Sequence, residues 1–265
     1  MERLRPIRLL ILQVAALTVA AAAALASIRG LGLQLADPRI TGLWLLAASF
    51  MYGTLAAMAA YMAWAQFSTI EVTAAKEANL LGEIYDLSAG LSDREEAQRL
   101  AGGLRRYLEM VLIDEWRGLA DSRADGATHE LFLDVTGRLR ALRAKDPHDE
   151  RTIEDIHERI GPWAHFRKKR VSWGMTRIPR PLWWLLCLLA WVVVLTMVLY
   201  PANDLRSQVV CVGLAAAVVS WAQLAIRDID NPFEGYCSVS PAAFDDLAQR
   251  LNLKHQPRRE PALQN

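Results

Sequence analysis

Cysteine is scarce in this sequence, with three residues in 265. Cys187 and Cys211 fall inside apolar runs and Cys237 lies beyond them, so no disulfide framework is expected, and small buried hydrophobes are the ordinary role for such residues. Net charge is nearly absent, at +1, so any electrostatic field that matters must be local. No segment alternates as a strand does. There is no Walker loop, no paired zinc-ligand spacing and no nucleophile elbow. One Glu154-x-x-His157 resembles half of a di-iron carboxylate motif, but such sites take two copies on separate helices, and His129, His148, His165 and His255 show no ligand spacing. These absences argue against an enzyme, a cofactor and a resident metal.

What is abundant is apolar sequence, 53% of the chain. It concentrates in four blocks, near Leu9 to Gly30, Gly42 to Phe67, Leu182 to Tyr200 and Ser207 to Ile226, each close to the ~20 residues that cross a bilayer as a helix. Over a hundred charge-rich residues separate the second block from the third. The expected fold is therefore all-α: transmembrane helices 1 and 2 over 1–67, a cytoplasmic helical bundle over 68–181, transmembrane helices 3 and 4 over 182–227, and a cytoplasmic corner, short helix and tail over 228–265. Arginines at 3, 5 and 8 followed by an apolar run ending in Ala24-Leu25-Ala26 also fit a signal peptide, yet the run exceeds the ~7 to 15 residues of a signal core and reads better as a retained span.

Orientation follows the basic residues. Arg167, Lys168, Lys169, Arg170, Arg177 and Arg180 precede span three without an acidic residue among them, and three arginines precede span one. Both termini and the polar bundle are expected on the cytoplasmic side of a bacterial inner membrane. The cluster at 167–170, beside Phe166 and Trp173, has a composition that nucleic acid would accept, but its closeness to a span makes anionic lipid headgroups the simpler partner, and no nucleic acid is expected.

Span two has no stop signal at the interface and continues toward Gly82 with an apolar stripe of Ile70, Ala74, Ala78 and Leu81, so one long helix is predicted to run from the membrane into the bundle. Ser92 with Glu95 fits a capping box for the next helix, whose buried side carries Leu100, Leu104, Tyr107, Leu108, Val111, Leu112, Trp116 and Leu119. Another helix follows through Leu131, Val135, Leu139 and Leu142. Asp146-Pro147 opens a third, which Pro162 is expected to break or kink.

Span four ends abruptly. The apolar run reaches Ile226, three charges arrive at Arg227, Asp228 and Asp230, and Asn231-Pro232 stops the helix. Gly235 permits a turn, and Ser240-Pro241 opens a short amphipathic helix over Ala242 to Leu251. Asp228, Asp230 and Glu234, with Asp245 and Asp246 on the next helix, invite a cation, although the spacing is not that of an EF-hand; salt bridges and caps are the alternative, because aspartate at a helix C-terminus needs a compensating partner such as Arg227, another arginine or a backbone N–H. Arg167 and Arg170 are the expected partners of Asp228 and Asp230, with Phe233 docked on the bundle. On span two, Met51, Leu55, Met58 and Met62 share one helical stripe, followed by Gln66 and Thr69, with Thr54, Ala57, Tyr61 and Ser68 as the alternatives on the same helix. In an oligomer that stripe would form an apolar constriction that gates by dewetting; for an isolated pattern of this kind, an ordinary helix contact or a lipid face is the commoner explanation.

The run Asp230-Asn231-Pro232-Phe233-Glu234-Gly235, followed by Val239-Ser240-Pro241 and Phe244, resembles the closing signature of a bacterial membrane family described as bestrophin-like. Glu77, Tyr107, Glu115-Trp116, Arg167 with Arg170, and Pro179 with Trp183 sit where that pattern would put them, and the likeness covers about residues 42 to 250. It implies a homo-oligomer, pentameric as in bestrophins, that passes small anions through a pore lined by the second spans. It does not imply calcium, because Tyr236-Cys237-Ser238-Val239-Ser240 stands where animal bestrophins carry an acidic run. The expectation is an anion channel embedded in the lipid bilayer; the alternative is a membrane-anchored sensor or scaffold whose bundle binds a protein partner without conducting.

Overall fold

One helix, α1 (Pro38–Ala89), spans 52 residues. It starts four residues before the expected Gly42 and passes through Gly82 without a break, because proline at its first position suits a helix start and a single internal glycine costs only ~1 kcal/mol. The computed structural model describes residues 37–144, 146–200 and 204–252, together with Val19, Ala23 and Ser27 singly. The predicted first span lies outside these apart from those three positions.

After α1 come α2 (Arg94–Met110), a π-helical segment (Val111–Glu115), α3 (Trp116–Ala120), α4 (Gly126–Ala141), α5 (Pro147–Met175), α6 (Arg180–Leu199), α7 (Leu205–Asp230) and α8 (Ala242–Arg250). Every regular element among the described residues is helical. Three of these helices, α1, α6 and α7, are long and apolar enough to cross a membrane. The chain divides into two units, Met1–Ala65 with Arg177–Asp230, and Gln66–Thr176 with Asn231–Asn265.

In the first unit, α1 presents a stripe of small residues, Ala48, Ala56, Ala59 and Ala63, with Tyr52 among them, to Leu186, Ala190 and Val193 of α6 and to Val219 and Ile226 of α7. Small side chains let helices approach closely where lipid supplies no hydrophobic drive between them. Several polar side chains of these helices bond to backbone carbonyls within the unit, as a bilayer favours. Tyr52 donates to the carbonyl of Val219 at 3.0 Å, Gln223 to that of Leu186 at 3.3 Å, and Gln208 to the terminal carbonyls of Val198 and Tyr200 at 3.1 and 2.6 Å. The opposite side of α1 is bare: Phe50, Met51, Met58, Tyr61, Met62 and Trp64 are all exposed.

The second unit is a bundle whose core joins Ile70, Leu81 and Ile84 of α1 to Leu104, Tyr107 and Leu108 of α2, Val135 and Leu139 of α4, Ile156, Ile160 and Trp163 of α5, and Phe244 of α8. Two local expectations are corrected here. The cap of α2 is Asp93, which accepts from the N–H groups of Glu95 and Glu96 at 3.1 and 3.2 Å, while Ser92 turns to Asp149 and Asp146. Of the break or kink expected at Pro162, the break does not occur: α5 runs through it, since the one lost hydrogen bond is outweighed by Ile156, Ile160 and Trp163 buried on either side.

Phe233 packs edge-on against Trp116, ring centres 5.1 Å apart, and reaches the bare backbone of Gly174, where an added Cβ would lie 2.7 Å from Phe233 Cε2. Gly174→Ala should therefore lower stability by about 1–3 kcal/mol, read as the thermal unfolding midpoint in detergent. Gly137→Ala, in α4 with nothing within 4 Å of its Cβ, should instead raise stability by about 0.5–1 kcal/mol.

Candidate functional site

The bundle buries an unusual quantity of charge. Glu77 of α1, Glu115 at the end of the π segment, and Arg167 and Arg170 of α5 are all among its inaccessible residues. Their positions follow from local structure. Glu77 lies between Ala74, Ala78 and Leu81 on the buried face of α1. Arg167 and Arg170 are three apart, hence neighbours on one face of α5. Glu115 closes the π turn, whose wide hydrogen bond runs from the N–H of Trp116 to the carbonyl of Val111, and Glu115 and Trp116 are both buried. Single π turns of this kind recur at functional sites.

The four groups form one chain of charge. Arg170 donates from Nε to Glu77 Oε2 at 2.6 Å and from Nη2 to Glu77 Oε1 at 3.1 Å, and that second nitrogen also reaches Glu115 Oε2 at 2.6 Å. Arg167 Nη2 takes the other oxygen of Glu115 at 2.5 Å. Tyr107 donates to Glu77 Oε1 at 2.7 Å, and Arg167 Nη1 lies 3.3 Å from His129 Nδ1, which fixes the imidazole proton on Nε2 when the ring is neutral. Aromatic faces close the remaining sides: Arg167 sits 4.8 Å over Phe132, and Arg170 5.6 and 5.5 Å over Trp116 and Phe244.

Two positive and two negative groups leave the cluster neutral, the condition for burying ions at tolerable cost. Burial alone would push the Arg170 guanidinium down, but the carboxylates of Glu77 and Glu115 hold it well above the usual range. Burial raises the Tyr107 phenol well above 10.0, and the same carboxylates add to the shift. The arrangement suits permanent charge and a fixed geometry. It offers no nucleophile beside a base, and no group of three metal-ligating side chains occurs among the described residues.

Of the partners expected for Asp228 and Asp230, Arg167 and Arg170 are corrected, being taken up by Glu115 and Glu77, while a backbone N–H is found for Asp230. Asp230 Oδ1 instead accepts from the N–H of Ile178 at 2.8 Å, uniting the two ends of the first unit's last segment. Asn231 donates to the carbonyl of Ala120 at 3.0 Å, the end of α3. Pro232 is buried and its carbonyl accepts from Val239 at 2.7 Å, closing the turn in which Gly235 takes φ 108°, a conformation open to glycine at little cost. Of the stripe proposed to line a pore, Met51, Met58 and Met62 are exposed and Leu55 is half-buried. Gln66 is corrected: it is buried and donates to the carbonyls of Trp173 and Thr176 at 2.9 and 2.7 Å, so it finishes α5 rather than facing a path. His157 meets the Leu139 carbonyl at 3.0 Å and Glu154 is exposed.

Tyr107 allows the cluster to be tested by titration. Its proton is held more tightly folded than unfolded, so the stability it contributes is complete below pH 10.0 and is lost as pH rises beyond it. Tyr107→Phe should cost about 1–3 kcal/mol at neutral pH by leaving Glu77 one donor short. The gap between wild type and Tyr107→Phe should then narrow above pH 10, measured by denaturant unfolding at each pH.

No curated protein matches the chain. Among solved structures, three of a bacterial bestrophin homolog from Klebsiella pneumoniae share its fold. One, a point mutant, has TM-score 0.61 and 13% identity, covering 94% of this chain and 99% of that one. A second mutant has 0.63 and 14%, covering 93% and 97%, and a third structure 0.59 and 12%, covering 94% and 100%. The Bestrophin-like domain model matches residues 12–244. With nearly the whole chain accounted for by that model, the protein belongs to the bestrophin-like family.

Proposed function

We propose that the chain assembles as a homo-oligomeric ring, a pentamer, in the bacterial inner membrane and passes small anions along α1, with the bundle and both termini in the cytoplasm. The observation that carries this reading is the bare side of α1. Met51, Met58 and Met62 are exposed by 57, 47 and 42%, and with Thr69 and Lys76 they stand seven or four residues apart, so they share one helical face. That face changes along its length from apolar to hydroxyl to cationic. An apolar collar gates by dewetting, and a cationic stretch beyond it raises the local concentration of anions. Leu55 belongs to the edge of this collar; Gln66 does not line it. The corner from Asp228 through Asp230, Asn231, Pro232, Phe233 and Gly235 serves as a structural joint, consistent with its backbone hydrogen bonds and the buried Phe233.

Conduction needs no covalent chemistry, and the neutral, locked charge cluster suits a scaffold rather than a catalyst. The test is anion flux from liposomes containing the purified protein. Chloride or a larger anion should leave proteoliposomes at a rate absent from protein-free vesicles, and Met62→Thr should raise that rate several-fold by wetting the collar. A monomer in native membranes with no flux would overturn the reading and return the alternative, an anchored scaffold whose bundle holds a protein partner.

A further inference from the structure

The face of α1 that enters the bundle ends in a pocket of about 220 Å³ lined by Ser68, Thr69, Val72, Thr73 and Lys76 of α1 and by Phe166 and Lys169 of α5. Its charge is uncompensated. Arg167 and Arg170, on the same helix as Lys169, are consumed by Glu115 and Glu77, whereas Lys76 and Lys169 form no ion pair among the described residues. Lys76 is also held in place: its ammonium lies 5.4 Å over the Phe166 ring, which draws the cation back over the pocket by attraction to the π face. No carboxylate lines the pocket.

We propose that this pocket is a binding site for a phosphate-bearing anion, either free inorganic phosphate or the headgroup of an anionic phospholipid. Lysine ammonium groups bind phosphate as point charges and tolerate varied geometry, unlike the planar fork of arginine. The Ser68 hydroxyl adds a neutral donor. At ~30 Å³ per water in the liquid, the space holds a tetrahedral oxyanion with part of its hydration. Phe166 and Val72 give the apolar wall against which the first carbons of a lipid glycerol would rest. The site stands whether or not the protein conducts, since it is defined by the pocket and its two cations alone.

The experiment uses the full-length protein. In neutral detergent it is titrated calorimetrically with potassium phosphate; in nanodiscs of phosphatidylcholine with added phosphatidylglycerol, the retained phosphatidylglycerol is counted by native mass spectrometry. Lys76→Gln with Lys169→Gln should weaken one of these by roughly tenfold or more, two cations near the surface having been removed, while Lys168→Gln, next to the site but outside its lining, should leave it unchanged. Weakened calorimetric binding identifies free phosphate, and weakened lipid retention alone identifies the headgroup; both support the site. Wild-type protein that binds neither overturns it, as does Lys168→Gln losing as much as the double variant, which would mean a diffuse basic surface. Binding that persists in protein without flux would leave the site intact and remove only the conduction reading.

Discussion

The bundle depends on a single buried run of alternating charge, Arg167–Glu115–Arg170–Glu77. It joins residues from α1, the π segment and α5, and through Tyr107, His129, Phe132 and Phe244 it touches α2, α4 and α8 as well. An apolar core of the same size would pack these helices, but hydrophobic contact is non-directional and tolerates small slides. A bidentate arginine does not, because each nitrogen must face its own oxygen. The cluster therefore fixes the register of α1 against α5. Removing one member strands its partner without water, a much larger penalty than the net worth of the pair.

The local structure around the cluster follows from the same demand. The π turn closes beside Glu115 and Trp116, both buried, with Trp116 placed beneath the Arg170 guanidinium and edge-on to Phe233. Gly174 is bare where Phe233 approaches, so the segment after α7 packs into the bundle through Phe233, together with Val239 and the Asn231 bond to Ala120. In the other unit, the alanine stripe on α1 does the equivalent work by shape alone, with tyrosine and glutamine side chains occupying backbone carbonyls.

The all-helical class, the long α1 and the family were legible in the sequence because they rest on local signals: apolar runs, a 3.6-residue stripe and a short closing signature. The partners inside the charge cluster were not. Glu77 and Arg170 are 93 positions apart, and nothing local distinguishes Glu115 from Asp230 as the carboxylate that an arginine on α5 will meet. The π turn was hidden for a related reason, since a one-residue change of hydrogen-bond offset leaves the apolar pattern almost intact. Gln66 read as a pore residue from its stripe, whereas its amide turns inward to the carbonyls of Trp173 and Thr176. At Ser92, either of two neighbouring polar residues can cap a helix; Asp149 accepts from the Ser92 N–H and hydroxyl, and Asp93 takes the cap.

The claim that charge pairing, rather than packing alone, holds the bundle together is tested most directly by a double-mutant cycle on Glu77 and Arg170. Stability of the wild type, Glu77→Leu, Arg170→Met and the double variant is measured by denaturant unfolding at neutral pH. Arg170→Met alone should cost about 3–5 kcal/mol by leaving both carboxylates buried without it, and the double variant should cost less than the sum of the singles by ~1–3 kcal/mol. Single losses that simply add, within ~0.5 kcal/mol, would contradict the account.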